Sequence, residues 1–165
     1  MASATIAASV NALLDAQLAA DDVLAVYAAK GTEVDTTAIA EHAVRRGLTV
    51  VYPRVAGDDR TLVFHAVTAA ELAPGRFGLL EPSADAPRVA LAEIATFVIP
   101  GLAFDRSGGR IGWGRGYYDA TLAQAPSALR IGLAFDCQVI DHVPRDPHDV
   151  PISFLVTEAV THKVA

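Results

Sequence analysis

The spacing of apolar residues predicts alternating helices and buried strands in the first half of the chain. Residues 4–20 place apolar side chains at helical intervals, which gives a helix one buried stripe. The runs at 23–29 and 48–52 are apolar without alternation, as in strands covered on both faces. Between them a helix is predicted through residue 46, with Thr36 as its N-cap and Gly47 in the left-handed position after its end.

The second half continues this alternation around longer connections. The turn GDDR at 57–60 joins the strand ending before Pro53 to a strand at 61–67, as a hairpin or a sheet edge. The polar stretch EPSADAPR at 81–88 is expected to cross the surface as a loop. The remaining predicted elements are strands at 94–99, 130–135 and 152–157, a helix at 117–124 and a polar loop at 136–150. Together they predict one three-layer α/β/α domain over residues 1–165, Rossmann-like, with a largely parallel or mixed central sheet and ligands at the carboxyl ends of its strands.

Composition narrows the class of protein further. The net charge of −6 over 165 residues argues against a binder of nucleic acid, which needs a basic face. No apolar run approaches the ~20 residues of a membrane helix, so no membrane partner is expected. The single cysteine excludes an intramolecular disulfide, and MASATIAASV lacks the basic flank of a secretory signal. We therefore expect a cytoplasmic protein.

The stretch from Val98 to Asp119 carries the densest glycine cluster. Five of the nine residues from 108 to 116 are glycine, and the others include Arg110, Arg115 and the only tryptophan, Trp113. The spacing matches neither G-x-x-x-x-G-K-[ST] nor G-x-G-x-x-G. A glycine loop with two arginines suits an anion, because backbone N–H groups and guanidinium groups both favour phosphate. A tight structural turn accounts for the same residues equally well.

Five other residues invite a chemical interpretation. Asp119, in the first turn of the predicted helix, and Asp149, in the PHDVP turn, are carboxylates of the kind that bind Mg²⁺ beside a phosphate, although capping alone also explains Asp119. His142 and His148 do not have zinc-site spacing, so we interpret them as loop residues. Cys137 is expected to be a small buried residue with a structural role.

Several motifs together resemble those of the 5-formyltetrahydrofolate cyclo-ligase family, also called 5,10-methenyltetrahydrofolate synthetases. The motifs are PGLAFD at 100–105, GGRIGWGRGYYD at 108–119 and GLAFDCQVIDHVPRDPHDVPISFLVTE at 132–158. Upstream, TEVDT at 32–36 and YPRV at 52–55 are similar to family segments in the same order. The resemblance extends over nearly the whole chain from about residue 20.

The resemblance implies an ATP- and Mg²⁺-dependent conversion of 5-formyltetrahydrofolate, with or without a polyglutamate tail, to 5,10-methenyltetrahydrofolate. In that reaction the formyl oxygen attacks the γ-phosphate and N10 then closes the ring. By resemblance the catalytic residues are Arg110, Arg115 and Tyr117, and the Mg²⁺ ligands are Asp119 and Asp149. The implied ATP-binding residues are Arg110, Ile111, Gly112, Trp113, Gly114, Arg115, Gly116, Tyr117 and Tyr118. The implied substrate-binding residues are Glu33, Trp113, Gly114, Arg115, Gly116 and Tyr117.

The chain departs from the family pattern in two places. Relatives usually begin with a basic K-x-x-[LM]-R-like segment, and MASATIAASV does not supply those charges, so we expect the domain to lack that segment. Ser153 stands where many relatives carry an aspartate before the last strand. These departures keep two alternatives open, a catalytically weak paralogue and a non-enzymatic folate- or nucleotide-binding module of the same fold. We expect a monomer or a weak homodimer, and we expect Arg110 to act on phosphate more than on folding.

Overall fold

Most of the predicted strands hydrogen-bond into one eight-stranded sheet in the computed structural model, which describes residues 1–165. The helices are α1 (Ala2–Gln17), α2 (Thr37–Arg45) and α3 (Tyr117–Leu122). The strands are β1 (Val23–Ala25), β2 (Thr49–Val55), β3 (Leu62–Ala66), β4 (Ala73–Pro74), β5 (Leu80–Glu81), β6 (Arg88–Val89), β7 (Ile94–Ile99), β8 (Ala103–Phe104), β9 (Arg110–Ile111), β10 (Leu129–Leu133), β11 (Phe154–Val156) and β12 (Thr161–Lys163). None of the helices is long and apolar enough to cross a membrane.

The order of the strands explains where a binding crevice can form. The sheet runs β12-β11-β10-β7-β1-β2-β3-β6, and its five central strands from β11 to β2 are parallel. The chain winds to one side through β1 and β2, and to the other through β7, β10 and β11. The direction of winding therefore reverses between β1 and β7, where loops at the carboxyl ends leave in opposite directions and open a crevice. The predicted α/β fold with a largely parallel or mixed sheet is confirmed.

Helices cover the sheet on both faces. Helices α1 and α2 lie on one face, where Ile6, Val10 and Leu14 form the buried stripe predicted for the first helix. Helix α3 lies on the other face, where Leu122 joins a second buried cluster with residues of β2, β3 and β7. The sheet thus separates two apolar layers, and the burial of both fixes its position between them.

The turn after β7 is held against the sheet by Phe104, which is fully buried between two glycines. A Cβ atom on Gly101 would lie 2.7 Å from Cζ of the Phe104 ring, and one on Gly132 would lie 2.7 Å from its Cε1. Side chains cannot approach this closely, so both glycines are needed for the ring to lie where it does. This packing positions the β8–β9 hairpin, from which the glycine cluster begins.

Two strand predictions are corrected by the structure. Strand β2 was expected to end before Pro53 but continues through it to Val55. The carbonyl of Val51 points toward β1, where it accepts a hydrogen bond from Val26 N. Backbone groups two residues apart in a strand point to the same side, so the nitrogen of Pro53 also points to that side, beyond the end of β1. No ladder hydrogen bond is lost there. The short antiparallel edge strand β12 was not predicted, because THK has no apolar alternation.

Two single-residue expectations were also wrong. Cys137 is exposed, because it lies in the 3₁₀ turn Asp136–Gln138 and not in a strand. Glu81, at the start of the polar stretch expected on the surface, is buried and accepts a hydrogen bond from Val55 N at 3.0 Å. The carboxylate accepts the hydrogen bond that water would otherwise accept from this N–H group, which explains why an acidic residue is buried beneath the loop.

We expect Gly132→Ala to lower the free energy of unfolding by about 1–3 kcal/mol, because its new methyl group would overlap Phe104. Urea unfolding measures this loss. The double variant Gly132→Ala/Phe104→Leu is the control, since the shorter leucine removes the closest overlap, that with the ring, although Cδ1 of Ile152 still lies 2.8 Å from the methyl position. If the loss of stability in the double variant equals the sum of the losses in the two single variants, the close approach of the Phe104 ring is not the reason for glycine at position 132.

Candidate active site

A cavity of about 1580 Å³ opens at the carboxyl ends of β1, β2 and β7. This is the crevice expected where the winding of the sheet reverses. The cavity brings together all the residues that were predicted to bind ATP, the substrate or the metal. They are Glu33, Arg110, Ile111, Gly112, Trp113, Gly114, Arg115, Gly116, Tyr117, Tyr118, Asp119 and Asp149. These residues come from three segments that are far apart in sequence.

One buried carboxylate, that of Asp105, joins the glycine cluster to the segment that carries Asp149. Oδ1 of Asp105 accepts hydrogen bonds from Gly109 N at 2.9 Å and from the backbone and hydroxyl groups of Ser107. Oδ2 accepts from Val143 N at 2.8 Å, and Arg145 Nη2 lies 3.3 Å from Oδ1. A side chain at position 109 would lie 2.7 Å from Oδ2, so glycine is required there. The carboxylate therefore sets the distance between the two segments.

These donors also fix the ionisation of Asp105. Burial by itself would raise the pKa of this carboxyl, but the hydrogen bonds from Val143, Ser107 and Gly109 outweigh burial and hold the pKa well below its usual value. Because the pKa is lower in the folded than in the unfolded chain, the carboxylate stabilises the fold above the usual value of 3.8. That contribution is lost as pH falls toward the folded-state pKa.

Arg110 is more deeply built into the protein than the sequence suggested. Its side chain is 8% exposed, and Nη1 donates to the carbonyl of Pro100 at 3.2 Å. Nη2 lies 3.7 Å from Asp119, and the guanidinium lies 5.5 Å from the centre of the Tyr118 ring. Burial lowers the pKa of Arg110, while the charge of Asp119 opposes that shift, and an arginine remains protonated at neutral pH. Its present partners are protein groups, so it supports the loop as well as facing the cavity.

Arg115 is the exposed cation of the loop. Its guanidinium lies 3.8 Å from the centre of the Phe77 ring, and the ring of Tyr117 lies 6.4 Å from the same ring. Phe77 has a φ of 59°, a conformation that bulky side chains rarely adopt. Its carbonyl accepts a hydrogen bond from Lys30 Nζ at 2.7 Å. The turn between β4 and β5 is therefore held against the glycine loop by a cation–π contact, and against the segment after β1 by a hydrogen bond.

Two carboxylates lie near each other beyond the loop. Asp119 Oδ1 accepts from Val150 N at 3.1 Å, and Asp149 Oδ2 accepts from Asp146 N at 2.8 Å. Nowhere in the chain do three or more acidic, histidine or cysteine side chains come together as a cluster able to hold a metal. Two half-buried carboxylates on the wall of one cavity suit Mg²⁺, which takes one or two carboxylates and completes its shell with phosphate and water. The residues present thus fit a magnesium ion that binds together with a phosphate.

The wall opposite the loop is formed by residues after β1. Glu33 is half-buried and lines the cavity, and its Oε2 accepts a hydrogen bond from Lys30 N at 2.7 Å, while Oε1 has no hydrogen-bond partner within the protein. Burial, and after it the charge of Glu33, raises the pKa of Tyr27. Burial also raises the pKa of Tyr118, with a smaller contribution from Glu33. The carboxylate of Glu33 is therefore close enough to influence both rings.

Some residues that line the cavity were not predicted from the sequence, and Ser153, where an acid was expected, lies outside the cavity. Lys30, Arg60, Phe77 and His148 also line the cavity. Only the Pro-Gly pair at 74–75 signals that Phe77 turns back toward the loop. Ser153 does not line the cavity, and its hydroxyl accepts from Arg130 N at 3.1 Å, between β10 and β11. Replacement of an acid there alters a bond between strands.

Comparison with known proteins identifies the family of the chain. The model of the 5-formyltetrahydrofolate cyclo-ligase family matches residues 2–158. The chain belongs to the 5-formyltetrahydrofolate cyclo-ligase family. It is 33% identical to the 5-formyltetrahydrofolate cyclo-ligase of Escherichia coli K12 over 141 residues, which is 81% of this chain and 76% of that protein. It is 31% identical to that of Mycolicibacterium smegmatis over 137 residues, which is 79% of this chain and 71% of that protein.

The fold of the cyclo-ligase family is also found among solved structures. The NMR structure of Aquifex aeolicus 5,10-methenyltetrahydrofolate synthetase superposes with a TM-score of 0.82 at 30% identity, covering 98% of this chain and 80% of that chain. The predicted family is confirmed, and so is the prediction that the chain is an enzyme of the ligase class. The motifs at 100–105 and 108–119 that suggested this cyclo-ligase contain Asp105 and most of the cavity-lining loop.

We expect Asp105→Asn to lower the free energy of unfolding at neutral pH by about 2–4 kcal/mol, because an amide cannot accept all the bonds that the carboxylate accepts. Below about pH 4 the difference from the unsubstituted protein should narrow, because Asp105 of the unfolded chain binds a proton there while the folded carboxylate, with its lowered pKa, does not. Urea unfolding at a series of pH values measures both effects.

The matched control for this prediction is Asp58→Asn, which changes an exposed aspartate in the turn between β2 and β3. Its unfolding free energy should stay within about 0.5 kcal/mol of the unsubstituted protein. A constant difference between Asp105→Asn and the unsubstituted protein from pH 7 to pH 3 would contradict the ionised state assigned to Asp105.

Proposed function

We propose that this chain converts 5-formyltetrahydrofolate to 5,10-methenyltetrahydrofolate with MgATP. The formyl oxygen attacks the γ-phosphorus, and the bond from that phosphorus to ADP breaks. N10 then attacks the formyl carbon, the carbon–oxygen bond breaks, and the oxygen leaves with the phosphate. The N10 proton is released to the phosphate or to solvent, so that every atom is accounted for.

The observation that carries this proposal is the convergence of all twelve sequence-predicted residues on one cavity. Its volume of about 1580 Å³ exceeds the 300–1,000 Å³ typical of a site for one drug-sized ligand. A phosphoryl transfer between two bound molecules needs both in one enclosure, with the reacting atoms in contact. A cavity of this size fits a reduced folate and a nucleotide together.

The glycine loop is the proposed phosphate side of the cavity. Phosphoryl transfer depends on positioning and on compensation of charge, since the protein contributes little covalent chemistry. The loop offers backbone N–H groups at Gly112, Gly114 and Gly116, whose missing side chains allow close approach of a phosphate. Arg115 is exposed and makes no salt bridge, so its charge is free to meet the anion. Arg110 holds the loop from below and adds charge.

Asp119 and Asp149 are the proposed Mg²⁺ ligands, with phosphate oxygens and water completing the shell. When bound, this ion would neutralise charge on the transferred phosphoryl group. Val150 N and Asp146 N each bond one oxygen of these carboxylates and so keep the pair oriented toward the cavity. The chain's own contribution is thus two fixed carboxylates of suitable charge.

The opposite wall is the proposed folate side. A reduced pterin and its aminobenzoyl ring are flat and partly apolar, and aromatic rings also line the cavity, that of Phe77 and those of Trp113 and Tyr117 at the edge of the loop. Glu33 offers a free carboxylate oxygen to the N–H groups of a pterin. Tyr117 follows the glycine loop directly and its ring centre lies 6.4 Å from that of Phe77, so it is the residue proposed to meet the formyl group where that group approaches ATP.

A direct assay mixes the protein with 5-formyltetrahydrofolate and MgATP and follows the near-UV absorbance of the methenyl product. We expect product with the unsubstituted protein, and at least a tenfold loss of kcat/KM in Asp149→Asn, because one of two metal ligands is removed. Asp85→Asn, an exposed aspartate outside the cavity, is the control. Folate binding without product would instead favour a weak paralogue, and absence of binding by both ligands would reject a folate role.

Substitutions of the two loop arginines, Arg110 and Arg115, should differ in their effects on activity and stability. Arg115→Ala should lower kcat/KM for ATP at least tenfold with little change in unfolding free energy, because the side chain is exposed. Arg110→Ala should lower activity and also destabilise the fold by about 1–3 kcal/mol, since its buried side chain bonds Pro100. Urea unfolding and steady-state kinetics on both variants test this. Equal destabilisation by the two substitutions would contradict the division of roles.

A further inference from the structure

Lys30 connects two parts of the cavity wall that lie far apart in the chain. Its backbone N–H donates to Glu33 Oε2 at 2.7 Å, and its side-chain Nζ donates to the carbonyl of Phe77 at 2.7 Å. The ammonium group lies beside Gly78, where a Cβ atom would be only 3.3 Å from Nζ. Lys30 lines the cavity and forms no salt bridge, so the partner of its charge is a backbone carbonyl and not an acid.

The turn that receives this hydrogen bond is joined to the rest of the protein mainly at its base. Strands β4 and β5 pair only with each other and are not part of the eight-stranded sheet. At the base, Glu81 is buried and its carboxylate accepts a hydrogen bond from the end of β2. At the tip, Arg76, Phe77 and Gly78 are exposed, and the two hydrogen bonds that connect them to other segments are donated by the side chains of Lys30 and Arg76. The position of the tip therefore depends on few contacts.

The conformation of Phe77 requires such a contact. Its φ of 59° lies in the left-handed region, which a bulky residue keeps only when surrounding contacts hold it there. A hydrogen bond from an ammonium group is charge-assisted and therefore stronger than one between neutral groups. Because Lys30 bonds the carbonyl of Phe77 itself, it fixes the direction of that peptide group. The centre of the ring is thereby kept 3.8 Å from the Arg115 guanidinium and 6.4 Å from the centre of the Tyr117 ring.

We propose that Lys30 is a positioning residue for the folate, which holds the turn between β4 and β5 so that the Phe77 ring stays on the cavity wall. This inference rests on the proposed function, because it assumes that a folate binds against Glu33 and Phe77. Lys30 bonds both residues, Glu33 through its backbone and Phe77 through its side chain, and so sets the distance between them. Loss of the ammonium group should release the turn and leave the glycine loop in place, since that loop is anchored separately through Asp105.

Steady-state kinetics of Lys30→Met with 5-formyltetrahydrofolate and MgATP test this role. We expect the KM for the folate to rise about five- to tenfold, because one charge-assisted hydrogen bond is lost. The KM for ATP and kcat should stay within about twofold of the unsubstituted values, since the glycine loop keeps its own anchor. Lys30→Arg should bring the KM for the folate most of the way back, because a guanidinium also donates to a carbonyl.

The matched control is Lys163→Met, which changes the only other lysine of the chain, an exposed residue of β12 outside the cavity. It should leave all three kinetic constants unchanged. If Lys30→Met raises both KM values and lowers kcat together, and arginine does not restore them, the side chain serves the fold in general and the proposal is overturned.

A second pair of variants separates positioning from direct contact with the substrate. If Lys30 acts through Phe77, Lys30→Met should raise the KM for the folate by less than about twofold when Phe77→Ala is already present. If the ammonium group binds the folate directly, the substitution should raise this KM by the same factor with and without the Phe77 ring. That result would contradict a positioning role.

Trypsin cleavage after Arg76 reports the turn in the absence of any folate, and mass spectrometry identifies the cut by its new N-terminus at Phe77. The initial rate of this cut should be at least about threefold higher in Lys30→Met than in Lys163→Met, because proteolysis follows the population of the released turn. Equal rates would overturn the proposal and leave the reaction untouched. Faster cleavage in a protein whose unsubstituted form makes no methenyl product would instead reject the reaction and retain the hold of Lys30 on the turn.

Discussion

The hydrogen bonds accepted by the buried carboxylate of Asp105 are the constraint on which the candidate site depends. Gly109 N leads directly into Arg110 and the glycine loop, and Val143 N leads into the segment that carries Asp149. A single side chain thus holds two loops that are over thirty residues apart in the chain. Because five donors converge on it, a shift of either loop would leave buried groups unpaired, which is costly.

The division of labour in the loop follows from this anchoring. The residues nearest the anchor are buried and bonded to protein, as Arg110 is to Pro100, and those farther along the loop are exposed, as Trp113 and Arg115 are. Because the loop is fixed at its base, the exposed residues at its tip can offer backbone amides and one cation to a ligand while they keep their positions. The tip in turn meets Phe77, whose left-handed backbone shows that the opposite turn is constrained as well.

The sequence was sufficient for the fold class and, through the family resemblance, for twelve of the residues that line the cavity, because apolar runs, turn residues and the glycine cluster are local signals. It was insufficient where tertiary contacts decide. Pro53 lies inside a strand since its side of the strand has no partner, and Glu81 is buried because Val55 N needs an acceptor. The approach of Arg60 to Gly116 and of Phe77 to Arg115 depends on separate turns meeting in space, and no periodicity in the chain signals it.

The central claim is that one cavity binds a folate and MgATP with the glycine loop between them. The most direct measurement is an experimental structure of the protein with 5-formyltetrahydrofolate and a non-hydrolysable MgATP analogue. The account predicts the γ-phosphate against the amides of residues 112–116, the metal between Asp119 and Asp149, and the formyl oxygen facing the γ-phosphorus. A nucleotide bound outside this cavity, or a metal held by other residues, would contradict it.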